Sequence, residues 1–336
     1  MPNPVLVEAV RGALTESRHR GAVAVVDAAG TSVLALGDVE RPVYPRSAVK
    51  ALQALVLMES GAADRFGFTD EELAIACASH AGEPGHITTV TRMLRRAGLA
   101  ADALECGPHW PLHQPSALAL ARSGATAAPI HNNCSGKHAG FLCSACAMGA
   151  THQGYGAPSH PVQRAVQATL ENLTGCRLDE DRRAVDNCSV PTWAIPLNDL
   201  ALAFARFGTG KGLPAPRAKA ALRLRAACAA APWHVGGTGR FCTGVMQRLG
   251  ARVFVKSGAE GVLCGALPEQ GLGLAIKCDD GAGRAGQVMM AAVVARLLPL
   301  DAGERDFLAR FVRPTLHDWN GAAVGELKPT ELLSGA

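Results

Sequence analysis

Ser47 and Lys50, in the stretch Pro45-Arg46-Ser47-Ala48-Val49-Lys50-Ala51-Leu52-Gln53, are spaced so that a helix sets a hydroxyl and an amine one turn apart on the same face. An unprotonated amine in that place takes the proton of the hydroxyl, which makes a nucleophile supplied with its own base. Val49, Leu52 and Val56, with Ala51, Leu55 and Leu57, make the predicted helix apolar almost all round, and a lysine desolvated there has its pKa pulled toward neutrality. Pro45 marks the helix entry and Gly61 its end. The tetrapeptide alone more often records a capping serine followed by a surface lysine, so its meaning depends on what accompanies it.

Serine β-lactamases and penicillin-binding proteins join Ser-x-x-Lys to a second serine in a loop and to Lys-Thr-Gly on a strand. Here Ser79 closes a helix and opens the turn-rich Ser79-His80-Ala81-Gly82-Glu83-Pro84-Gly85-His86, and Lys256-Ser257-Gly258 follows the strand-like Ala251-Arg252-Val253-Phe254-Val255. The three parts keep the same chain order. A second candidate site lies in His131-Asn132-Asn133-Cys134-Ser135-Gly136-Lys137-His138 and Asp186-Asn187-Cys188-Ser189, where Asn-Cys-Ser occurs twice. Thiolates are soft ligands suited to zinc, and His131 and His138 are within reach in sequence to complete a tetrahedron. The spacing matches no established zinc pattern, so two buried thiols in a polar loop explain it equally well.

The elements that must position these groups are read from periodicity and punctuation. Ala22–Val26 and Thr31–Leu36 form a hairpin that delivers the chain to Pro45, and Thr69-Asp70-Glu71-Glu72 is a capping box for a helix ending near Cys77. Further helices are predicted at about 87–97, 116–123, 141–148, 161–174, 197–207, 215–230 and 282–298, with strands near Val253 and at 273–277, and a polar tail after Leu298. Gly208-Thr209-Gly210-Lys211-Gly212 lacks the first glycine and the final Ser or Thr of a phosphate loop and reads as a turn.

With 336 residues, 48% hydrophobic and 18% charged, the chain is globular and long enough for a large core, and it reads as a single domain over 1–336 of closely packed α/β and helical parts. A net charge of +4, with scattered basic residues, gives no case for nucleic acid, and no apolar run reaches membrane-spanning length. The start Met1-Pro2-Asn3-Pro4-Val5 lacks an export pattern, so a cytoplasmic location with reduced thiols is expected for the eleven cysteines. Cys143 and Cys146 have redox spacing but sit in a helix-like apolar run.

Taken together, Pro45–Lys50, Ala78–Glu83, His131–His138, Asp186–Pro191 and Lys256-Ser257-Gly258-Ala259-Glu260-Gly261 resemble the rhizobial-type, or class 3, L-asparaginases, over a span from about Pro4 to Leu298. The resemblance implies an α/β fold of α+β type similar to serine β-lactamases and glutaminases, an antiparallel-rich sheet flanked by helices with a helical part. It also implies a homodimer that hydrolyses L-asparagine to L-aspartate and ammonia. By the same resemblance the two serine–lysine pairs are Ser47 with Lys50 and Ser79 with Lys256, and a zinc ion is held by Cys134, Lys137 and Cys188.

The mechanism expected on this basis is acyl transfer. Ser47 attacks the side-chain amide with Lys50 as base, while Ser79 and Lys256 pass a proton to the leaving nitrogen. Charge complementarity assigns Arg46 and His80 to the α-carboxylate of the substrate and Asp186 or Glu83 to its α-amine. Two other readings compete: a β-lactam-type hydrolase using the same Ser-x-x-Lys chemistry, and a zinc-dependent amino-acid-binding protein without catalysis.

Overall fold

A computed structural model describes residues 2–335. Its centre is one antiparallel sheet of eight strands: β1 (Val5–Arg11), β2 (Leu14–Asp27), β3 (Ser32–Leu36), β4 (Phe254–Ser257), β5 (Val262–Leu267), β6 (Leu272–Cys278), β7 (Thr315–His317) and β8 (Ala323–Pro329). The order across the sheet is β7-β8-β1-β2-β6-β5-β4, with β3 also on β2. The 14-residue β2 makes this possible by dividing its length. Its first half pairs with β1, from Leu14↔Arg11 to Arg20↔Val5, and its second half pairs with both β3 and β6. The alternation Glu16, Arg18, Arg20 against a buried Ala22–Val26 run records that change from a one-sided to a two-sided environment.

Helices cover both faces. Gly208 of the helix Leu197–Thr209 abuts Ala266 of β5, while Gly286 of the helix Gly283–Leu297 abuts Leu263 on the same strand. Residues 263 and 266 point to opposite faces of a strand, so the two helices sandwich the sheet. The first approach is close. A Cβ on Gly273 of β6 would collide with the backbone of Ala201 and Ala205, so only glycine admits the helix at this distance. The helical part, with Asp70–Ala76, Pro84–Arg96, Ser135–Ala147, Pro161–Thr174 and Ala215–Ala230, packs beside the sheet on a continuous apolar cluster that runs from Leu6 to Leu333.

The expected hairpin, the capping box and the helices at 161–174 and 215–230 are found at the predicted places; Thr69 N–H donates to Glu72 Oε2 at 2.8 Å. Three readings change. The run after Pro45 is not one helix but a 3₁₀ turn, Arg46–Val49, followed by short α pieces at Lys50–Gln53 and Leu55–Glu59. The strand expected at 251–255 begins at Phe254, because Gly250–Arg252 coil into a 3₁₀ turn, and Lys256 therefore lies inside the strand rather than after it. The polar tail holds a capped helix, Ala302–Val312, and the hairpin β7–β8, which pairs with β1. No helix among the described residues is long and apolar enough to cross a membrane.

Candidate active site

Four separate elements bring the chemistry together. Lys50 opens the short helix behind the 3₁₀ turn and is fully buried. Ser79 lies just beyond the helix Asp70–Ala76, its N–H donating to the Val235 carbonyl at 3.0 Å. Lys256 projects from β4, and Cys134 caps the N-terminus of the helix Ser135–Ala147. Their side chains form one chain of contacts. Lys50 Nζ donates to Ala78 O at 2.7 Å, to Ser79 Oγ at 3.0 Å and to Cys134 Sγ at 3.1 Å. From the opposite side Lys256 Nζ reaches Ser79 Oγ at 2.8 Å and Ser257 O at 2.7 Å.

Ser79 Oγ is thus held between two buried amines. Burial, reinforced by the charge of Lys50, lowers the pKa of Lys256 to about 7, so this amine changes charge in the neutral range. Ser47 behaves differently. It is half-buried in the 3₁₀ turn, and among the described residues its hydroxyl has no hydrogen-bond partner, Lys50 included. Its N–H is likewise unpaired among the described residues, as befits the first turn of a helix. The i, i+3 spacing therefore keeps Ser47 and Lys50 on neighbouring turns, but the amine's bonds go to the second serine.

The expected metal-binding residues also converge. Cys188 sits in the tight turn between Arg183–Val185 and Pro191–Trp193, closed by Ser189 N–H to Asp186 O at 2.8 Å. Lys137 Nζ donates to Cys188 Sγ at 3.1 Å, and Cys134 Sγ, which receives Lys50 Nζ, lies 3.2 Å from Asn133 Oδ1. The neighbouring Cys188 side chain, with burial opposing it and the charges of Lys50 and Lys137 assisting it, holds the Cys134 thiol well below its ordinary pKa, while Cys134 and burial drive the Cys188 thiol up. Burial works against the charge of Lys137, but the two sulfurs and Asp186 outweigh it and raise its pKa. Two buried sulfurs and an amine that contacts one of them and acts electrostatically on both are a donor set that suits a zinc ion, whose binding would displace the amine and thiol protons. His131 and His138 stand apart: His131 Nδ1 accepts from Ala128 N–H at 3.0 Å, and His138 Nδ1 contacts Tyr155 OH at 2.7 Å.

The four residues assigned by charge separate into two groups. Arg46 Nε donates to Asp186 Oδ1 at 2.9 Å, and its Nη2 to Asn187 Oδ1 at 2.8 Å. Burial alone would raise the pKa of Asp186, but Lys137 and Arg46 keep it below the ordinary value, so the pair is ionised. His80 and Glu83 are engaged elsewhere. His80 is buried and neutral, its pKa pushed far down by desolvation and by His86, with Nε2 at 2.9 Å from Ser135 Oγ and Nδ1 accepting from Gly82 N–H at 3.2 Å. Glu83 uses Oε1 for Thr238 N–H at 2.8 Å and Oε2 for Thr238 Oγ1 at 2.7 Å, fastening the 237–240 loop beside Ser79. Every polar atom of both side chains thus has a partner inside the fold.

Sequence reasoning missed the strain around the site. Among the described residues only Arg46 (φ 51°), Ser189 (φ 70°) and Glu260 (φ 58°) are non-glycine residues with left-handed backbone, and each lies within four residues of Ser47, Cys188 or Lys256. It missed Gly258 as well, where a Cβ would stand 2.6 Å from Pro45 O and 3.0 Å from Ala48 N. The Lys-Ser-Gly-Ala-Glu-Gly run was the available signal, since its first glycine lets β4 close on the Ser47 turn.

A family model described as L-asparaginase II matches residues 7–329. The chain belongs to the L-asparaginase II family. It is accordingly an asparaginase, and its substrate amide is that of L-asparagine. No curated protein matches. Among solved structures it is similar to a β-lactamase from Mycobacterium bovis, with 18% identity over 78% of this chain and 88% of that one at a TM-score of 0.37. It is also similar to Mglu in its native form in 4.3 M NaCl, with 17% identity over 89% of this chain and 67% of that one at a TM-score of 0.37. At those TM-scores neither adds to the topology already described.

A base with a pKa of about 7 accepts a proton only when neutral, so kcat/KM for asparagine is expected to rise with pH through about 7 and level off above it. In Lys256→Arg, whose guanidinium stays charged at every accessible pH, the rate should fall by about 10²–10⁴-fold. A pH–rate profile of the folded variant that keeps its limb near 7 would show that another group titrates.

Proposed function

We propose that this asparaginase releases ammonia through a serine acyl-enzyme in which two serines share the buried lysines. The observation that carries the reading is Ser79 Oγ between Lys50 Nζ and Lys256 Nζ, at 3.0 and 2.8 Å, with the amine of Lys256 poised near neutrality. Ser47 is the nucleophile. It is the more accessible hydroxyl, carries no competing bond, and occupies the first turn of a helix, where its own N–H is available to the developing oxyanion.

Attack forms a bond from Ser47 Oγ to the amide carbon, and the hydroxyl proton passes to Lys50, toward which the side chain turns, once Lys50 has handed its own proton through Ser79 Oγ to the neutral amine of Lys256. The tetrahedral intermediate then breaks its C–N bond. Ser79 gives its proton to the departing nitrogen and takes back the one that Lys256 received, so ammonia leaves neutral and Lys256 returns to its neutral form. Water follows the same route in reverse to release L-aspartate. Arg46 and Asp186, an ionised pair of opposite sign beside Ser47, accommodate the α-carboxylate and α-amine of the substrate. Glu83 positions the 237–240 loop and is kept out of substrate contact by its two bonds to Thr238.

Cys134, Lys137 and Cys188 would hold a zinc ion, which would supply positive charge beside the Lys50 amine that Cys134 contacts. The Lys137–Cys188 contact and the electrostatic coupling of both sulfurs to Lys137 support this reading, and a cytoplasmic location, where thiols stay reduced, suits it. A homodimer accords with the apolar surface left at two neighbouring hairpin ends, where Trp319 is fully exposed and Leu14 is 76% exposed.

Three measurements check these assignments. Enzyme quenched during turnover and mapped by peptide mass spectrometry should carry the aspartyl adduct on Ser47, with Ser47→Ala inactive; an adduct on Ser79 would exchange the two serines' roles. Metal analysis should find zinc in the parent and a loss of at least tenfold in affinity in Cys134→Ser and Cys188→Ser. Retention at full occupancy in both would remove the zinc reading. Sedimentation at micromolar concentration should give twice the chain mass, shifted toward the monomer in Trp319→Asp, and a monomeric parent would dismiss the dimer.

A further inference from the structure

A second group of metal-ligating side chains lies where β6 ends against the middle of β2, beside the helix Gly283–Leu297. His19 Nδ1, Cys278 Sγ and a carboxylate oxygen of Asp280 all lie within 4.8 Å of one another. His19 and Cys278 are buried, whereas the Asp280 side chain is 48% exposed, so the group opens to solvent on one side only. We infer that His19, Cys278 and Asp280 form a binding site for a divalent cation of borderline softness, Zn²⁺ being the natural occupant, distinct from the site at Cys134, Lys137 and Cys188.

The donor set is the first argument. One imidazole nitrogen, one thiolate and one carboxylate oxygen form a three-ligand zinc set that leaves a fourth position for water, and the exposed edge of Asp280 is where a water would enter. The pairing pattern is the second. Asp280 Oδ2 lies 2.6 Å from His19 Nδ1, and Oδ1 accepts from Cys278 Sγ at 2.9 Å, so the donor atoms already face one point with their protons where the ion's charge would be. Zinc bonds of about 2.0–2.3 Å in a tetrahedron put ligand atoms about 3.3–3.8 Å apart. The half-exposed carboxylate has to withdraw by about 1 Å on that geometry, while His19 and Cys278, within 4.8 Å of each other, stay in place or close by a similar amount.

On binding, Cys278 loses its proton to solvent, and His19 coordinates through Nδ1 with its single hydrogen on Nε2. Arg284 Nη2, 3.4 Å from Nε2, then has to turn away, which its exposed position permits. The ion would brace the loop that follows β6. That loop touches the turn that follows the strand of Lys256: Cys278 N–H donates to Gly261 O at 2.9 Å, and a Cβ on Gly281 would stand 2.8 Å from Glu260 Oε2. Occupancy therefore bears on the strained Glu260 turn without touching the reacting atoms.

Cobalt(II) titration of the full chain tests the site, because a thiolate ligand gives a charge-transfer band in the near ultraviolet. In the Cys134→Ser/Cys188→Ser variant one tight equivalent of cobalt with that band is expected, lost on adding Cys278→Ser and weakened at least tenfold by His19→Gln, with thermal unfolding confirming that each variant is folded. If the double variant does not fold, the parent and Cys278→Ser are compared directly, and the loss of one equivalent with its band is expected. A cobalt stoichiometry and band unchanged by Cys278→Ser in the background that folds overturns the inference. The site does not depend on the zinc reading at Cys134, whose failure would leave the double variant's single equivalent unaffected.

Discussion

Two amines share one oxygen in the interior of this protein, and most of the architecture follows from that arrangement. Lys50 and Lys256 are both buried and both bonded to Ser79 Oγ. Two like charges about 6 Å apart repel by about 3 kcal/mol at an effective dielectric of about 20, on top of the desolvation each suffers. The second amine therefore holds its proton weakly, which is what proton transfer at neutral pH needs. The surrounding groups reduce the burden in a graded way: the Ala78 carbonyl and the Cys134 sulfur accept from Lys50, while Lys256 has a single carbonyl, that of Ser257. The asymmetry of partners separates the two lysines' roles.

Holding such a cluster requires elements that cannot slide. β4 sits at the sheet edge, and its Lys256 pairs with Cys264 of β5. Gly258, at the end of that strand, closes on Pro45 and Ala48, so the register of the sheet sets the distance from Lys256 to the Ser47 turn. A one-residue slip would turn Lys256 to the other face. On the far side, the Arg46–Asp186 pair ties the same turn to the Cys188 hairpin. The Ser47 turn is thereby gripped from the sheet and from the Cys188 hairpin at once.

The sequence made the contributors legible more readily than their bonds. Ser47, Lys50, Ser79 and Lys256 stand out by type and spacing, and Cys134 and Cys188 by their repeated setting. The partner of Lys50 was not legible, because which serine an amine meets depends on how the helix Asp70–Ala76 packs, a long-range matter that i, i+3 spacing does not carry. His80 and Glu83 illustrate the same limit. Their types suggested substrate contacts, but Ser135 and Thr238, distant in sequence, take up their polar atoms. The hairpin β7–β8 escaped notice because its strands are short and half-exposed, with Gly325 and Pro329 interrupting the apolar alternation.

Arg46, Ser189 and Glu260 keep left-handed backbone that side chains resist, at about 1–3 kcal/mol apiece. Glycine at Ser189 or Glu260 would relieve that tension and harden the molecule against heat, yet would leave the adjoining thiol or lysine on a more pliable hinge, and at Arg46 it would also strip Asp186 of its partner. Attempts to thermostabilise this enzyme through its backbone therefore meet their least forgiving positions beside the reaction centre.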